Sequence, residues 1–76
     1  MKFADVERLL DYMTDAQQVV FLERIIPQLR GPDARSAMIA LANVYVLQRK
    51  FKKAAEMYEI VGFQDDAAKA LARISV

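Results

Sequence analysis

Residues 41–62, LANVYVLQRKFKKAAEMYEIVG, contain two apolar segments separated by a cluster of basic residues, RKFKK at 49–53. Apolar residues recur at spacings of three and four, and no part of the chain has the sustained alternation of a half-buried strand. This pattern predicts one helix at about 33–48, a second at about 52–61, and a turn between them that contains the basic cluster. The stretch therefore predicts an all-α fold in which neighbouring helices pair as antiparallel hairpins.

Three further helices are predicted on the same grounds, at about 3–13, 15–29 and 64–75, so that the chain forms about five short helices. The predicted core face of the first consists of Phe3, Val6, Leu9, Leu10 and Met13. Thr14 and Gln17 have the spacing of a capping box at the start of the second. Pro27 interrupts this second helix, which must either kink there or end near Ile25.

The two glycines mark helix ends. Gly31 suits the left-handed position that follows a helix. Gly62 is predicted to end the fourth helix in the same way. Phe63 would then fold back on Tyr58 or Met57, which is the apolar contact of a Schellman motif.

The composition is that of one small domain. The 76 residues are 55% hydrophobic and carry a net charge of +1, from eleven basic and ten acidic side chains. Such balanced charge gives no electrostatic indication of a nucleic-acid or membrane surface. The longest apolar run, at 37–47, is too short to span a bilayer. No apolar stretch follows Lys2, so no signal peptide is predicted. We therefore expect a cytoplasmic protein without a membrane partner.

Histidine and cysteine are absent, which excludes disulfides, thiol catalysis, imidazole acid–base chemistry and the usual zinc ligand sets. The candidate nucleophiles are Thr14, Ser36 and Ser75, of which Thr14 is better explained as a helix cap. Gly31 and Gly62 are the only glycines and do not form a glycine-rich phosphate loop. We expect no catalytic residue, no metal and no cofactor, and hence a protein that is not an enzyme.

Six residues have the spacing of the signature positions of a known helical repeat. They are Leu41, Ala42, Tyr45, Phe51, Ala54 and Tyr58. Through these residues the segment 35–68 resembles one tetratricopeptide repeat, a helix–turn–helix unit of about 34 residues. Ala42 and Ala54 are small at the two points where the antiparallel helices would cross. Val61 and Asp66 depart from the repeat, which prefers alanine and proline at these places.

The resemblance implies one domain, 1–76, built as a right-handed array of helical hairpins. Its parts would be an N-terminal hairpin at 1–31, a repeat-like hairpin at 33–62 and a capping helix at 64–76. Residues 1–34 do not fit the repeat pattern, so the first hairpin would be of another sequence type.

The resemblance also implies a partner-binding groove on one face of the helix at 33–48, formed here by Ser36, Ile39, Asn43 and Val46. Some members of the family hold a peptide carboxylate with an asparagine at the place of Asn43 and a lysine one turn earlier. Ile39 stands where that lysine would be, so no carboxylate clamp is predicted. Asn43 would bond to a peptide backbone or be satisfied locally in the core. Ile39 and Val46 would be covered by the first hairpin, by a second copy or by a partner helix.

The basic cluster admits two explanations. In the first, Phe51 is buried in the turn and Arg49, Lys50, Lys52 and Lys53 are solvated around it. In the second, the cations and the aromatic ring contact phosphate groups or an acidic peptide. We favour the first, because charges beside a buried aromatic commonly serve to keep a turn in water.

These patterns together predict a non-enzymatic adaptor, a protein–protein interaction module that binds a helix or an extended peptide on Ser36, Ile39, Asn43 and Val46. The cations at 49–53 would steer acidic partners towards this face. Two alternatives stay open. The apolar face would close a homodimer in a structural protein, or the basic turn would bind nucleic acid, which we expect less.

Overall fold

The described part of the chain is built of helices. A computed structural model describes residues 2–74, which form five α-helices and one short 3-10 turn. They are α1 Phe3–Leu10, α2 Asp15–Ile25, the 3-10 turn Ile26–Gln28, α3 Gly31–Leu47, α4 Phe51–Ile60 and α5 Gln64–Ile74. No strand occurs within residues 2–74, which confirms the all-α fold class. The predicted end of the last helix at Ser75 lies outside the described residues.

Side-chain hydrogen bonds to the backbone hold the connection between α1 and α2. α1 ends at Leu10, earlier than predicted, and the Gln18 Nε2 group donates to the carbonyls of Leu10 at 3.1 Å and Met13 at 3.2 Å. The Gln17 N–H donates to Thr14 Oγ1 at 3.2 Å, and the Thr14 N–H donates to Gln17 Oε1 at 3.0 Å. The predicted capping box is therefore confirmed, and the side chain of the next residue closes the turn before it.

The segment between α2 and α3 differs in part from the prediction. α2 ends at Ile25, one of the two outcomes expected from Pro27, which lies in the 3-10 turn. Leu29 and Arg30 are extended, and Gly31 begins α3 with φ +53°. The left-handed conformation of Gly31 was expected, but its place directly after a helix was wrong. The 3-10 turn and the extended residues separate Gly31 from α2, and the glycine turns the chain into α3 instead.

α4 ends in the predicted Schellman motif. Gly62 has φ +85°, its N–H donates to the Glu59 carbonyl at 3.1 Å, and the Phe63 N–H donates to the Tyr58 carbonyl at 2.7 Å. The rings of Phe63 and Tyr58 stack with their centroids 6.5 Å apart and their planes 11° apart, which confirms the predicted contact. Arg35 of α3 also lies over the Phe63 ring, with 5.4 Å between its guanidinium carbon and the ring centroid.

α3 ends in a second motif of the same kind, which the sequence did not signal. The Arg49 N–H donates to the Val46 carbonyl at 3.0 Å, and the Lys50 N–H donates to the Tyr45 carbonyl at 2.8 Å. Arg49 adopts φ +61°, a conformation that costs a residue with a Cβ atom roughly 1–2 kcal/mol. Glycine usually occupies this position, so the signal that identified the end of α4 is missing here.

α3 is the central helix, because it packs against α1, α2 and α4, while α5 packs against α4. α3 is therefore covered on more than one face. The buried core consists of Val6, Leu10, Leu22, Ile25, Leu29, Ala37, Leu41, Ala42, Tyr45, Ala54, Ala55, Tyr58, Ala67 and Ala70. Ala42 and Ala54 are completely buried, as their expected place at a close helix crossing requires. None of the helices within residues 2–74 has the length and apolar character needed to cross a membrane.

Candidate interaction surfaces

The predicted groove residues of α3 are divided between two places. Ser36, Ile39 and Asn43 line a cleft of about 240 Å³ together with Phe3 and Glu7 of α1. Ser36 and Ile39 are half-buried there, and Asn43 is exposed. Val46 lies elsewhere, in clefts bounded by α4 and α5. The structure thus brings three of the four residues together, and α1 narrows the face that they form.

Asn43 is hydrogen-bonded within the fold. The hydroxyl of Tyr58 in α4 donates to Asn43 Oδ1. Burial, with a smaller contribution from the charge of Asp66, raises the pKa of Tyr58 and keeps the hydroxyl protonated as a donor. The prediction that Asn43 is hydrogen-bonded locally is therefore correct for its side-chain oxygen. The residue nevertheless lies at the surface rather than in the core.

A second tyrosine hydroxyl joins α3 to α2. The Tyr45 hydroxyl donates to Glu23 Oε1 at 2.7 Å. Burial, the hydrogen bond and the negative charge of Glu23 together raise the pKa of Tyr45 to about 12. Each cause disfavours the tyrosinate, since a phenolate would lose both its solvation and its favourable contact with the carboxylate. Sequence reasoning missed this pair, because no local spacing relates residues 22 positions apart.

Phe51 is half-buried at the start of α4, rather than buried as predicted. Arg73 of α5 places its guanidinium carbon 5.4 Å from the centroid of the Phe51 ring. These two side chains line a pocket of about 550 Å³ with Val46, Leu47 and Arg49. We call this set of five residues the basic pocket. The sequence identified Phe51 and Arg49 but not Arg73, which reaches the pocket only through the packing of α5 on α4.

The four predicted cations of the turn differ in their surroundings. Arg49 lines the basic pocket. Lys50 and Lys52, on either side of Phe51 in the sequence, are both exposed. The ammonium group of Lys53 instead lies 5.7 Å from the centroid of the Tyr45 ring. The basic cluster is therefore not one uniform surface, and Lys53 interacts with the ring that also bonds to Glu23.

A larger apolar groove opens between α1 and α2. Its volume is about 690 Å³, and its lining is Leu9, Tyr12, Met13, Ala16, Gln17, Val20, Phe21 and Arg24. Tyr12 is 90% exposed, and Leu9 and Val20 each expose at least half of their surface. We call this set of eight residues the α1–α2 groove. It is a concave, mainly apolar surface with one cation, Arg24, in its lining.

The prediction that Leu9 faces the core was wrong. Adjacent residues point about 100° apart around a helix, so only one of Leu9 and Leu10 can face the main packing partner. α1 docks on α3, which buries Leu10 and leaves Leu9 half exposed. In α2, Val20 is likewise exposed beside the half-buried Val19. Such adjacent apolar pairs were a usable sequence signal for an exposed apolar surface, because they exceed what a single buried face needs.

Within the part of the chain that the structure describes, no three acidic side chains lie together so that they could hold a metal ion. The array handedness, the division of the chain at residues 31 and 62, and a partner-binding role for Ser36, Ile39, Asn43 and Val46 stay predictions. So does the resemblance of residues 35–68 to a tetratricopeptide repeat. No protein-family model, curated protein or solved structure matches the chain.

Proposed function

We propose that the chain is a non-enzymatic protein–protein interaction module, an adaptor whose docking surface is the α1–α2 groove. The observation that carries the proposal is the apolar lining of this groove, in which Tyr12 is almost wholly exposed and Leu9 and Val20 are exposed beside it. A contiguous apolar surface with polar residues at its rim commonly marks a protein interaction site. The groove between α1 and α3 is smaller and is already narrowed by Phe3 and Glu7.

The proposed occupant is an amphipathic helix of a partner protein. Two helices of 8 and 11 residues wall the groove, which gives walls of about 12–16 Å at 1.5 Å per residue. Two to three turns of a partner helix fit this length, with apolar anchors at positions i, i+3 or i+4, and i+7. Arg24 is the charged residue of the lining, so an acidic residue beside the anchors would complement it.

A non-enzymatic role agrees with the placement of the two core tyrosines. Their hydroxyls are engaged within the fold, Tyr45 with Glu23 and Tyr58 with Asn43. Both pKa values are raised by burial, which is opposite to the change that would make a phenol a base or nucleophile at neutral pH. The hydrogen bonds and the raised pKa values therefore support a structural function for both tyrosine side chains.

The test is a selection from a library of displayed 16-residue peptides against the wild-type chain. We expect selected peptides to carry apolar residues at helical spacing with an acidic residue next to them. Val20→Glu and Leu9→Glu should abolish their binding, because each change puts a carboxylate among apolar contacts. Ile60→Glu is the matched control, since Ile60 is an apolar residue of α4 that is 65% exposed and lies outside the groove.

Binding that survives both groove variants, or that is lost equally in the Ile60→Glu control, would contradict the proposal. Light scattering of the same proteins tests the homodimer alternative. A wild-type dimer that becomes monomeric in Val20→Glu would show that a second copy fills the groove, and assembly would then replace peptide docking as the proposed function.

A further inference from the structure

The basic pocket is a second surface with a different chemistry. It lies at the C-terminal end of α3. Arg49 comes from the turn after α3, and Arg73 comes from α5, more than twenty residues later. Lys50 follows Arg49 in the sequence, Lys52 follows Phe51, and both are exposed. The first turn of α4 contains no acidic residue, and within the described residues no side chain caps its N-terminus. The positive end of this helix therefore adds to the charge of the cations.

Arg73 is held in a geometry that suits a carboxylate. Its guanidinium carbon lies 5.4 Å from the Phe51 ring centroid, within the range of a cation–π contact. Packing against the ring restricts the side chain, while the planar group keeps N–H donors in the arrangement that two carboxylate oxygens accept. Asp66 and Lys69 line the adjoining cleft with Arg73. The negative charge of Asp66 and the positive charge of Lys69 offset one another there.

Arg49 occupies a strained position. It has φ +61°, where glycine is the usual residue at the end of a helix. Backbone strain at a residue that lines a pocket is a reason to look for a function of its side chain. An arginine here directs a cation to the pocket from a fixed turn, which a glycine could not do.

The remaining lining favours a peptide over a nucleic acid. Leu47 is 70% exposed, and Val46 and Phe51 add further apolar surface to the pocket. Nucleic-acid sites instead need a run of cations that follows many phosphates, whereas this chain has a net charge of only +1. We propose that the basic pocket binds an acidic peptide segment, in which carboxylates pair with Arg49 and Arg73 and a neighbouring apolar side chain contacts Leu47.

The experiment compares two series of 12-residue peptides by fluorescence anisotropy. One series places one to four glutamates at varied distances from a single leucine, and the other has glutamine at the same positions. We expect binding to the wild-type chain to strengthen with the number of glutamates and to weaken with salt, and the glutamine series to bind at least about tenfold more weakly.

Two variants place the site. Arg49→Gly keeps the left-handed turn and removes one cation, and Arg73→Gln removes the other. Each should weaken binding of the best glutamate peptide by about tenfold. Arg24→Gln, which removes the same charge from the α1–α2 groove, should leave it unchanged, and so should Val20→Glu. The two surfaces can therefore fail separately.

Equal binding of the glutamate and glutamine series would overturn the proposal, and so would equal weakening in Arg24→Gln and the pocket variants. A single-stranded oligonucleotide of 12 bases is the competing probe. If it binds more tightly than every glutamate peptide and loses affinity in Arg49→Gly and Arg73→Gln, the pocket is a nucleic-acid site and the peptide proposal is rejected.

Discussion

Two side-chain hydrogen bonds join α3 to its neighbouring helices. Tyr45 bonds to Glu23 of α2, and Asn43 bonds to Tyr58 of α4. Each bond lies at the edge of the apolar core and connects groups from different helices. Because the donors are phenols, both links are lost when the phenols ionise in alkaline solution.

The Tyr45 link predicts a loss of stability at high pH. The pKa of Tyr45 is about 12 in the fold against 10.0 for a free side chain. A raised native pKa stabilises the fold fully below pH 10, and this contribution is lost as the pH rises from 10 to 12. Urea unfolding across this range should therefore show the stability advantage of the wild type over Tyr45→Phe decreasing. Glu23→Gln should make this loss smaller and complete it at a lower pH, whereas parallel curves for wild type and Tyr45→Phe would refute the assignment.

The alanines of the core predict a second effect at the residue scale. Ala42 and Ala54 are completely buried. A leucine at either place should overpack the core and cost about 1–3 kcal/mol in the free energy of unfolding. Ala72→Leu, at an exposed position of α5, is the control and should have little effect in the same thermal melts. If the buried and exposed substitutions behave alike, the helices do not approach closely at these alanines.

At the scale of elements, the ends of α3 and α4 form the same motif with different residues. Arg49 occupies the left-handed position after α3, and Gly62 occupies it after α4. A tyrosine supplies the accepting carbonyl of the longer hydrogen-bonded turn in both, Tyr45 in one and Tyr58 in the other. The two ends therefore allow the cost of a left-handed residue to be measured twice in one protein.

The two substitutions should have opposite effects. No atom lies within 4 Å of a Cβ added to Gly62, so Gly62→Ala should destabilise the fold through its backbone alone, by about 1 kcal/mol. Arg49→Gly relieves the same strain but increases the freedom of the unfolded chain, so a gain of about 0–1 kcal/mol is expected. Chemical denaturation of both variants gives the comparison. A clear loss in Arg49→Gly would mean that the arginine side chain stabilises the turn.

The elements that carry strong local chemistry were predictable. Thr14 with Gln17, Pro27, and Gly62 with Phe63 each restrict the backbone through neighbours in sequence, and the structure agrees with the prediction at all three. The left-handed conformation of Arg49 could not be predicted, because no glycine marks this helix end. The place of Arg73 could not be predicted either, because it joins the pocket only through tertiary contacts.

At the scale of the whole molecule, the all-α class followed from hydrophobic periodicity. The exposed surfaces did not follow from it, since the direction in which α1 docks decides whether Leu9 or Leu10 is buried. The family resemblance grouped Ser36, Ile39, Asn43 and Val46 on one face, whereas the structure places the first three in one cleft and Val46 elsewhere. The contribution of Phe3 and Glu7 to that cleft depends on the same docking. The described chain measures only 38 × 25 × 15 Å, so much of its apolar surface lies near solvent.

A fourth prediction separates surface from core. Tyr12→Ser and Leu9→Ser should each change the free energy of unfolding by no more than about 0.5 kcal/mol, as surface substitutions do. Both should also shorten retention on a hydrophobic-interaction column, because they remove exposed apolar area. Leu22→Ser is the contrast, since Leu22 is completely buried and a hydroxyl there should unfold much of the protein. Cooperative melting that is lost in Tyr12→Ser would place Tyr12 in the core instead.

The docking of α1 mainly on α3 has a consequence for local opening. Val6 and Leu10 anchor the helix, and the Phe3 N–H donates to Asp33 Oδ1 at 3.1 Å. α1 therefore has fewer contacts to break than α3 or α4, and its amides should exchange with deuterium before theirs do. The α1–α2 groove would then have one wall that detaches independently of the other, and a bound helix that bridges both walls would slow exchange in α1 above all.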